Sequence, residues 1–411
     1  MILLTFVYLY PLKFTFIPGG ISTRIILGVI GVYFFLKNFN TSKSLIVSKK
    51  GFKLILSLVS LSIVTTISLI INNQRDLNFI IYPISVTFII SAAYALSRIA
   101  KELHFIFSFN NLLKLFITAV VIQNTLSVIM FILPEIRALL SSIVITDDLT
   151  TNKLSEITSF RLIGFGIEFF GAGVISALTL ILIMYSICTK MQKSSRILGM
   201  VVVYVWVAIT GICMARTTFL GILLSIIVFL TYSTPSLTIN YKILRLLKSF
   251  VYLFIILTVI ITMIPKTLFS QLEDLYKFGF ELFINYQDSG EMSSESTNQL
   301  LEMYNILPVT FLTWVIGDGL WTDPSSGLYY MGSDVGYIRL VFYVGVIGTI
   351  TYLWYQYNIV KVTCWNKSKY DRIPMMIFFI AGLILNFKGF TDITSYTIFF
   401  CWANNNQLQL S

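Results

Sequence analysis

Five ionisable side chains lie within or beside strongly apolar stretches of the sequence, where a charge is costly. They are Arg161, Glu168, Arg216, Asp334 and Arg339. A charge at the centre of a membrane-spanning helix costs roughly 2.5–3.5 kcal/mol, so such residues normally face a protein interior and carry function. A guanidinium group binds phosphate oxygens through paired hydrogen bonds, and a carboxylate can orient or deprotonate a hydroxyl group. These five residues are therefore the candidates for a catalytic site, in which guanidinium groups could bind phosphate oxygens and a carboxylate could act on a hydroxyl group.

Structural interpretations of the same charges also exist. Arg161 and Glu168 recur at helical spacing with small residues, which is also typical of an ion-paired packing interface. Arg216 stands at a predicted turn, where it could reach headgroup phosphate. Lys388 and Asp392 are four residues apart and are interpreted as a structural ion pair.

The segment of residues 317–348 passes from a polar, aromatic stretch into an apolar run that still contains Arg339. Asp334, just before that run, could serve as the N-cap of the following helix. Aromatic rings offer a sugar an apolar face with a polar tip, although such residues also form belts at membrane surfaces. We predict a substrate-binding role for four of them, namely Trp321, Tyr329, Tyr330 and Tyr337.

The composition indicates the class of protein that must position these residues. Of 411 residues, 56% are hydrophobic and 12% are charged, whereas soluble domains carry about 25% charged residues. The chain is therefore expected to be an all-α polytopic membrane protein. Its first fourteen residues lack the basic region of a signal peptide, so we interpret them as part of a retained span. Four unpaired Cys and a single His104 predict no disulfide framework, metal site or cofactor.

Apolar runs predict about twelve transmembrane helices. They cover residues 2–17, 21–37, 53–71, 77–97, 111–133, 161–188, 197–214, 217–232, 249–264, 336–358, 374–388 and 392–403. The chain then divides into residues 1–264 with nine helices and an outer loop at 134–160, a large outer loop at 265–335, and residues 336–411 with three helices and a short tail. Loops this long are usually functional or disordered, and the aromatic residues of 265–335 favour order.

Loop charge predicts the orientation. With the N-terminus inside, the inner loops hold sixteen Lys or Arg and two acidic residues. The outer loops 72–76, 134–160 and 265–335 hold five Lys or Arg and fifteen acidic residues. Cytoplasmic loops of membrane proteins show this excess of basic residues. Both termini are therefore predicted to be cytoplasmic. The net charge of +10 needs no nucleic-acid partner to explain it.

Three local features are predicted from helix length, apolar spacing and capping residues. Residues 197–232 would form a helix of about 54 Å, too long for one crossing, so two spans are predicted with a turn near Ala215 and Arg216. Apolar residues at helical spacing between 268 and 282 predict an amphipathic helix at the membrane surface. Ser293 and Ser294 predict the cap of a short helix that Pro308 would end.

This arrangement resembles the bacterial O-antigen and capsule repeat-unit polymerases of the Wzy type over essentially the whole length. The local signals are MARTTFLG around Arg216, the sequence IGDGLW, and GSDVGYIRLVFYVGVIG around Arg339. The resemblance implies a type C glycosyltransferase-like helical fold in the bacterial inner membrane. It also implies polymerisation of undecaprenyl-diphosphate-linked oligosaccharides at the outer face, with the lipid bilayer as environment and a chain-length regulator as a partner.

The sequence departs from the family pattern at its arginine–glycine motifs. These motifs place Gly eleven residues after Arg, whereas here Ala172 follows Arg161 at that distance and Ile350 follows Arg339. The roles of the arginines therefore rest on their positions. The related O-antigen ligases use a His in the outer loop, and His104 is predicted inside, so a ligase is disfavoured.

The competing prediction is a lipid-linked oligosaccharide flippase, which also has about twelve spans. A flippase is expected to line a central cavity with charge and to keep its outer loops short. The 71-residue loop at 265–335 favours an enzyme.

Overall fold

The computed structural model describes residues 1–42, 48–145, 160–167, 169–189, 194–232, 266–290, 293–365 and 367–403. Within these ranges the chain is α-helical, and strand-like pairing is limited to isolated bridges. The helices are α1 (Ile2–Leu9), α2 (Thr23–Ser42), α3 (Lys49–Ile71), α4 (Asn78–Glu102), α5 (Phe109–Ile132), α6 (Pro134–Ile143), α7 (Phe169–Thr189), α8 (Ser194–Met214), α9 (Thr218–Tyr232), α10 (Lys266–Ser289), α11 (Glu295–Tyr304), α12 (Phe311–Ile316), α13 (Gly336–Thr363), α14 (Lys369–Leu385) and α15 (Thr394–Ile398). Two short 3₁₀ turns lie at Pro18–Gly20 and Tyr330–Gly332.

Among the described residues, six helices are long and apolar enough to cross a membrane: α3, α4, α5, α7, α8 and α13. They correspond to six of the twelve predicted spans, and the chain has the character of a polytopic membrane protein. The predicted spans 21–37, 217–232 and 374–388 form α2, α9 and α14. The predicted span 249–264 lies outside the described residues.

Two predicted spans are wrong as continuous helices. In 2–17 only Ile2–Leu9 is helical, and in 392–403 only Thr394–Ile398. Helices of eight and five residues rise about 12 Å and 8 Å, far less than the ~30 Å of a hydrocarbon core. Apolar composition alone therefore did not distinguish buried irregular chain from a crossing helix.

Contacts divide the chain into two compact units. The first combines Thr23–Leu112 with Ser293–Ser411. In it, α2 packs on α4, and α3 packs on both α4 and α13. The approach of α2 to α4 is close, since a Cβ on Gly31 would lie 1.8 Å from the Ser91 carbonyl oxygen. Such small-residue contacts are a common way for membrane helices to pack.

The second unit combines Ile2–Ser22 with Leu113–Met292. Its central helix is α7, in which every residue from Ala172 to Ile187 is buried. Helices α8 and α9 both pack on α7 and on each other, and α10 packs on α8. Glycine permits the closest approach, because a Cβ on Gly221 of α9 would lie 2.4 Å from the Ala177 Cα of α7.

The predicted helices from α8 to α11 are confirmed, but α11 ends at Tyr304 and not at Pro308. Helix α8 ends at Met214 and α9 begins at Thr218, so 197–232 does form two helices. The amphipathic stretch forms α10. Ser294 caps α11, because its hydroxyl accepts a hydrogen bond from the Thr297 amide at 3.2 Å.

Loops that were predicted on the same side of the membrane meet at one end of the first unit. At the basic end, the Lys50 ammonium lies 4.6 Å from the Trp365 ring centroid. In the predicted inner loop 98–110, Arg98 donates a hydrogen bond to the Tyr94 hydroxyl, and Tyr94 packs against Trp402. These contacts agree with the predicted grouping of the inner loops.

Candidate functional site

Helix α13, which carries Arg339, is broken at Gly345. This residue has φ of 67° and ψ of −174°, outside the helical region. A Cβ at this position would lie 2.1 Å from the Val315 carbonyl oxygen of α12. Only glycine accommodates both the positive φ and the contact. The predicted continuous span over 336–358 is therefore two helical segments joined at Gly345.

The break exposes two carbonyl groups, and the loop after α12 satisfies them. The Asp318 amide donates to the Phe342 carbonyl at 2.5 Å, and the Gly319 amide donates to the Tyr343 carbonyl at 3.2 Å. The Ser68 hydroxyl also donates to the Tyr343 carbonyl, at 3.1 Å. Unpaired backbone groups are expensive in an apolar medium, so these bonds fix the loop to α13.

The turn between α3 and α4 holds the same loop from the other side. The Asn72 side-chain amide donates to the Gly317 carbonyl at 2.8 Å, and the Trp321 amide donates to the Asp76 carboxylate at 2.9 Å. The Tyr343 hydroxyl also donates to the Asp76 backbone carbonyl, at 3.0 Å. The predicted outer loops 72–76 and 265–335 are thus in contact at one end of this unit.

Residues 321–330 form a small hairpin. Thr322 and Tyr329 make an antiparallel bridge, and the Asp323 amide donates to the Leu328 carbonyl at 2.8 Å. The Asp323 carboxylate accepts from both the amide and the hydroxyl of Ser325. These bonds lower the pKa of Asp323. The hairpin is therefore ordered by its own hydrogen bonds, and it presents Trp321 and Tyr329 together.

The Arg339 side chain lies between those two rings, an arrangement that we call the arginine clamp (Trp321, Tyr329 and Arg339). Its guanidinium carbon is 3.9 Å from the Trp321 ring centroid and 4.0 Å from the Tyr329 ring centroid. Each cation–π contact contributes roughly 0.5–2 kcal/mol, depending on how far it is shielded from water. The clamp therefore sets the position of a cation one turn inside α13.

Asp334 is half-buried close to this cation. Burial raises the pKa of the Asp334 carboxyl, and the positive charges of Arg339 and Lys388 oppose the rise. The N-cap of α13 is Val335, and no side chain caps this end. The N-cap interpretation of Asp334 is therefore wrong. The carboxyl is instead one member of a charged group with Arg339 and Lys388.

Two of the predicted sugar-binding tyrosines are engaged in structural contacts. Tyr330 packs edge-on against Phe342, and its hydroxyl lies 3.3 Å from the Asp318 carboxylate. Burial, followed by the charge of Asp318, raises the pKa of Tyr330. The Tyr337 hydroxyl donates to the Leu383 carbonyl at 2.8 Å. Trp321 and Tyr329 adjoin Arg339 directly, whereas Tyr330 and Tyr337 support the surrounding chain.

The predicted helical spacing of Arg161 and Glu168 is wrong at Arg161, which is not in a helix. Residues 160–167 are irregular, and α7 begins at Phe169. Glu168 lies outside the described residues. Arg161 therefore contacts its neighbours from a loop and not from a helix.

The Arg161 guanidinium is nevertheless enclosed. It donates to the Met214 carbonyl at 2.5 Å. Its Cζ lies 4.0 Å from the Phe169 ring centroid and 4.9 Å from that of Phe278. Burial, followed by repulsion from Arg216, lowers the pKa of Arg161 to about 9. Arg161 is therefore still cationic at neutral pH.

Arg216 lies on the same phenylalanine and fixes α10. Its Cζ is 4.8 Å from the Phe278 ring centroid, and its Nε donates to the Phe278 carbonyl at 2.9 Å. The guanidinium also forms an ion pair with Glu281. Only 9% of the Arg216 side chain is exposed, so it is enclosed by protein and does not reach outward to headgroup phosphate. Arg161 and Arg216 thus lie together in the second unit, and Arg339 belongs to the first.

A further carboxylate, Asp392, is held in the first unit by neutral donors. It accepts hydrogen bonds from the Tyr82 hydroxyl at 2.7 Å, the Gln356 amide at 2.9 Å and the Thr394 backbone at 2.8 Å. The predicted ion pair with Lys388 is not what binds this carboxylate. Neutral donors instead stabilise the charge, as expected for an acid inside apolar surroundings.

Sequence reasoning assigned no role to the residues that fix the loop to α3 and α4. Asn72 and Asp76 belong to five consecutive polar residues between two apolar helices, which is the signal that could have drawn attention to them. Within the described parts of the chain, no three His, Cys, Asp or Glu side chains gather as a metal site would require.

Comparison of the chain with protein-family models, with curated proteins and with solved structures gave no match.

Proposed function

We propose that this chain is a membrane glycosyltransferase that polymerises undecaprenyl-diphosphate-linked oligosaccharide repeat units into O-antigen or capsular polysaccharide. The reaction takes place at the outer face of the bacterial inner membrane. The observation that carries the proposal is the arginine clamp, which sits beside a half-buried carboxyl on a loop rich in aromatic residues. This combination supplies what glycosyl transfer from a diphosphate requires.

The clamp provides the cation for the leaving group. The cation–π contacts with Trp321 and Tyr329 hold Arg339 in a fixed position, and a guanidinium is a group that binds phosphate oxygens through paired hydrogen bonds. Negative charge develops on the diphosphate as the glycosidic carbon–oxygen bond breaks. A cation already fixed in position stabilises that charge with little reorganisation. The sugar that is transferred lies against the exposed side of the aromatic hairpin.

Asp334 is the proposed general base. Burial raises the pKa of its carboxyl, and a carboxylate with a raised pKa accepts a proton more readily. The acceptor hydroxyl oxygen forms a bond to the anomeric carbon of the donor as the bond to diphosphate breaks. The hydroxyl proton passes to Asp334, and the electron pair leaves with the lipid diphosphate.

The second unit contains a cationic group of its own. Two guanidinium groups and one carboxylate surround Phe278, so the formal charges of Arg161, Arg216 and Glu281 sum to +1. Among these, Arg216 forms an ion pair with Glu281 and holds α10 in place. We assign anion binding to Arg161 and a positioning role to Arg216.

The direct test uses purified full-length protein with a synthetic undecaprenyl-diphosphate-linked repeat unit and scores polymer on a gel. The wild type is expected to give a ladder of products, and Arg339→Ala is expected to give none. Arg98→Ala is the matched control, because Arg98 also lies on a tyrosine ring, at 5.1 Å from the Tyr94 centroid, but near the basic end of the same unit. A normal ladder from Arg339→Ala would remove the clamp from the mechanism.

One observation favours a transporter as the second candidate. Many transporters bind their substrates at broken membrane helices, and α13 is broken at Gly345. Here the carbonyl groups of the break accept hydrogen bonds from Asp318 and Gly319, so the break anchors a loop. In the same assay with reconstituted vesicles, movement of the lipid without polymer would favour the flippase.

A further inference from the structure

A polar groove adjoins the arginine clamp in the first unit. It has a volume of about 450 Å³ and lies between the α3–α4 connection and the start of the hairpin. The residues lining it include Asn73, Gln74, Arg75, Leu320, Thr322 and Pro324. Small-ligand pockets commonly have volumes of about 300–1,000 Å³. The groove is thus large enough for a bound molecule.

The walls of the groove are held in place by Asp76. One carboxylate oxygen accepts from the Trp321 amide at 2.9 Å, and the other accepts from the amide and side chain of Asn78 at 3.1 and 2.7 Å. Gly319 packs against this wall, since a Cβ there would lie 3.4 Å from Gln74. The groove is therefore shaped before any ligand arrives, which reduces the entropy lost on binding.

Four polar side chains in the groove have no hydrogen-bond or ion-pair partner among the described residues. They are the side chains of Asn73, Gln74, Arg75 and Thr322. Together they offer two amides, a guanidinium and a hydroxyl, a set that both donates and accepts hydrogen bonds. Leu320 and Pro324 add apolar surface beside them.

We propose that this groove binds an uncharged sugar of the glycan chain. Each sugar hydroxyl both donates and accepts, which the amides and Thr322 match, and the C–H face of a pyranose ring fits the apolar surface of Leu320 and Pro324. The charge of Arg75 lies next to that of Asp76 in the sequence and along the groove, so the site carries no net charge to select an anion.

The groove and the clamp are adjacent along the chain. Leu320 and Thr322 line the groove, and Trp321 between them contacts Arg339. In this proposal, a glycan seated in the groove extends toward the clamp. This inference rests on the proposed function and adds a subsite to it, one that holds the sugar beyond the reacting one.

The test compares Gln74→Ala, Arg75→Ala and Thr322→Val with Gln299→Ala, an exposed amide on α11 outside the groove. Each groove variant removes one polar group from a surface position, so the fold is expected to persist. Two readouts are needed. One is the polymerisation assay described above, and the other is binding of the free reducing oligosaccharide of the repeat unit, followed by tryptophan fluorescence of the full chain in detergent.

We expect weaker oligosaccharide binding and a higher acceptor KM, by roughly five-fold for Gln74→Ala and Thr322→Val and about ten-fold for Arg75→Ala, with Gln299→Ala unchanged. Polymer formation with wild-type binding and KM in all three groove variants would overturn the subsite and leave the polymerase standing. Saturable binding by the wild type that the groove variants lose, without polymer from any protein, would keep the subsite and overturn the polymerase. If the wild type shows neither oligosaccharide binding nor polymer, both the subsite and the polymerase are overturned.

Discussion

Substituting alanine for Gly345 is the sharpest test of how α13 holds the site. The new Cβ would meet the Val315 carbonyl oxygen at 2.1 Å and the Ile316 amide at 2.4 Å. Both are backbone atoms, so α12 must move away. Movement of α12 breaks the hydrogen bonds from Asp318 and Gly319 and separates the hairpin from Arg339.

The magnitude follows from two terms. An L-residue at a positive φ with ψ near 180°, a region essentially confined to glycine, costs about 1–3 kcal/mol, and overpacking of a filled site costs about 1–3 kcal/mol. Their sum is roughly 2–6 kcal/mol, which corresponds to about 4–12 °C in melting temperature at some 2 °C for each kcal/mol. Polymer formation should fall with it, because the clamp loses its hairpin.

Gly290 supplies the matched control. It has φ of 78°, close to that of Gly345, and a Cβ there would meet nothing within 4 Å. Gly290→Ala should therefore lose only the roughly 1–2 kcal/mol that a positive φ costs an L-residue, and it should keep its activity. The assay is a tryptophan-fluorescence melt of each purified variant in detergent, followed by polymerisation. Equal melting temperatures and equal activity for the two variants would refute the idea that the break anchors the loop.

Three further outcomes are expected. Arg339→Lys keeps the charge but loses the planar group, so kcat/KM for polymerisation should fall by about 10–100-fold while the melting temperature changes little. Arg216→Ala and Glu281→Gln should each lower the free energy of unfolding by roughly 1–3 kcal/mol, and the double variant should lose less than the sum, as measured by a double-mutant cycle of melts. Because the pKa of Asp334 is raised, its carboxylate becomes protonated at a higher pH than usual when the solution is acidified. The acid limb of the pH–rate profile should therefore disappear in Asp334→Asn, and an unchanged limb would exclude Asp334 as the base.

Much of the helical pattern could be predicted from local rules. The turn between α8 and α9 followed from the length of a crossing helix, and the start of α11 followed from the hydroxyl of Ser294. These features depend on a few neighbouring residues. Span prediction was weaker at the chain ends, where 2–17 and 392–403 are apolar but contain only short helices.

The site was predictable in its residue types but not in its geometry. Arg339, Trp321 and Tyr329 were selected because charge and aromatic rings are unusual in that place, and they do lie together. The break at Gly345 was not predictable, since glycine within an apolar run is ordinary in membrane helices. The bond between Asp76 and Trp321 joins residues 245 positions apart, a distance over which no local pattern carries information.

Helical spacing did not predict the surroundings of Arg161, for a related reason. Spacing of three and four residues indicates a shared face only where the chain is helical, and residues 160–167 are not. Phe278 brings Arg161 and Arg216 together instead. Its position in α10 was predicted, but its contacts with two cations were not.

The joint at Gly345 also separates two mechanical tasks along one helix. The segment from Gly336 to the joint contacts the hairpin through Arg339, while the remainder of α13 runs on to Thr363. One residue inserted into an unbroken helix would rotate everything beyond it by about 100°. With the joint in place, the two segments need not share one helical register.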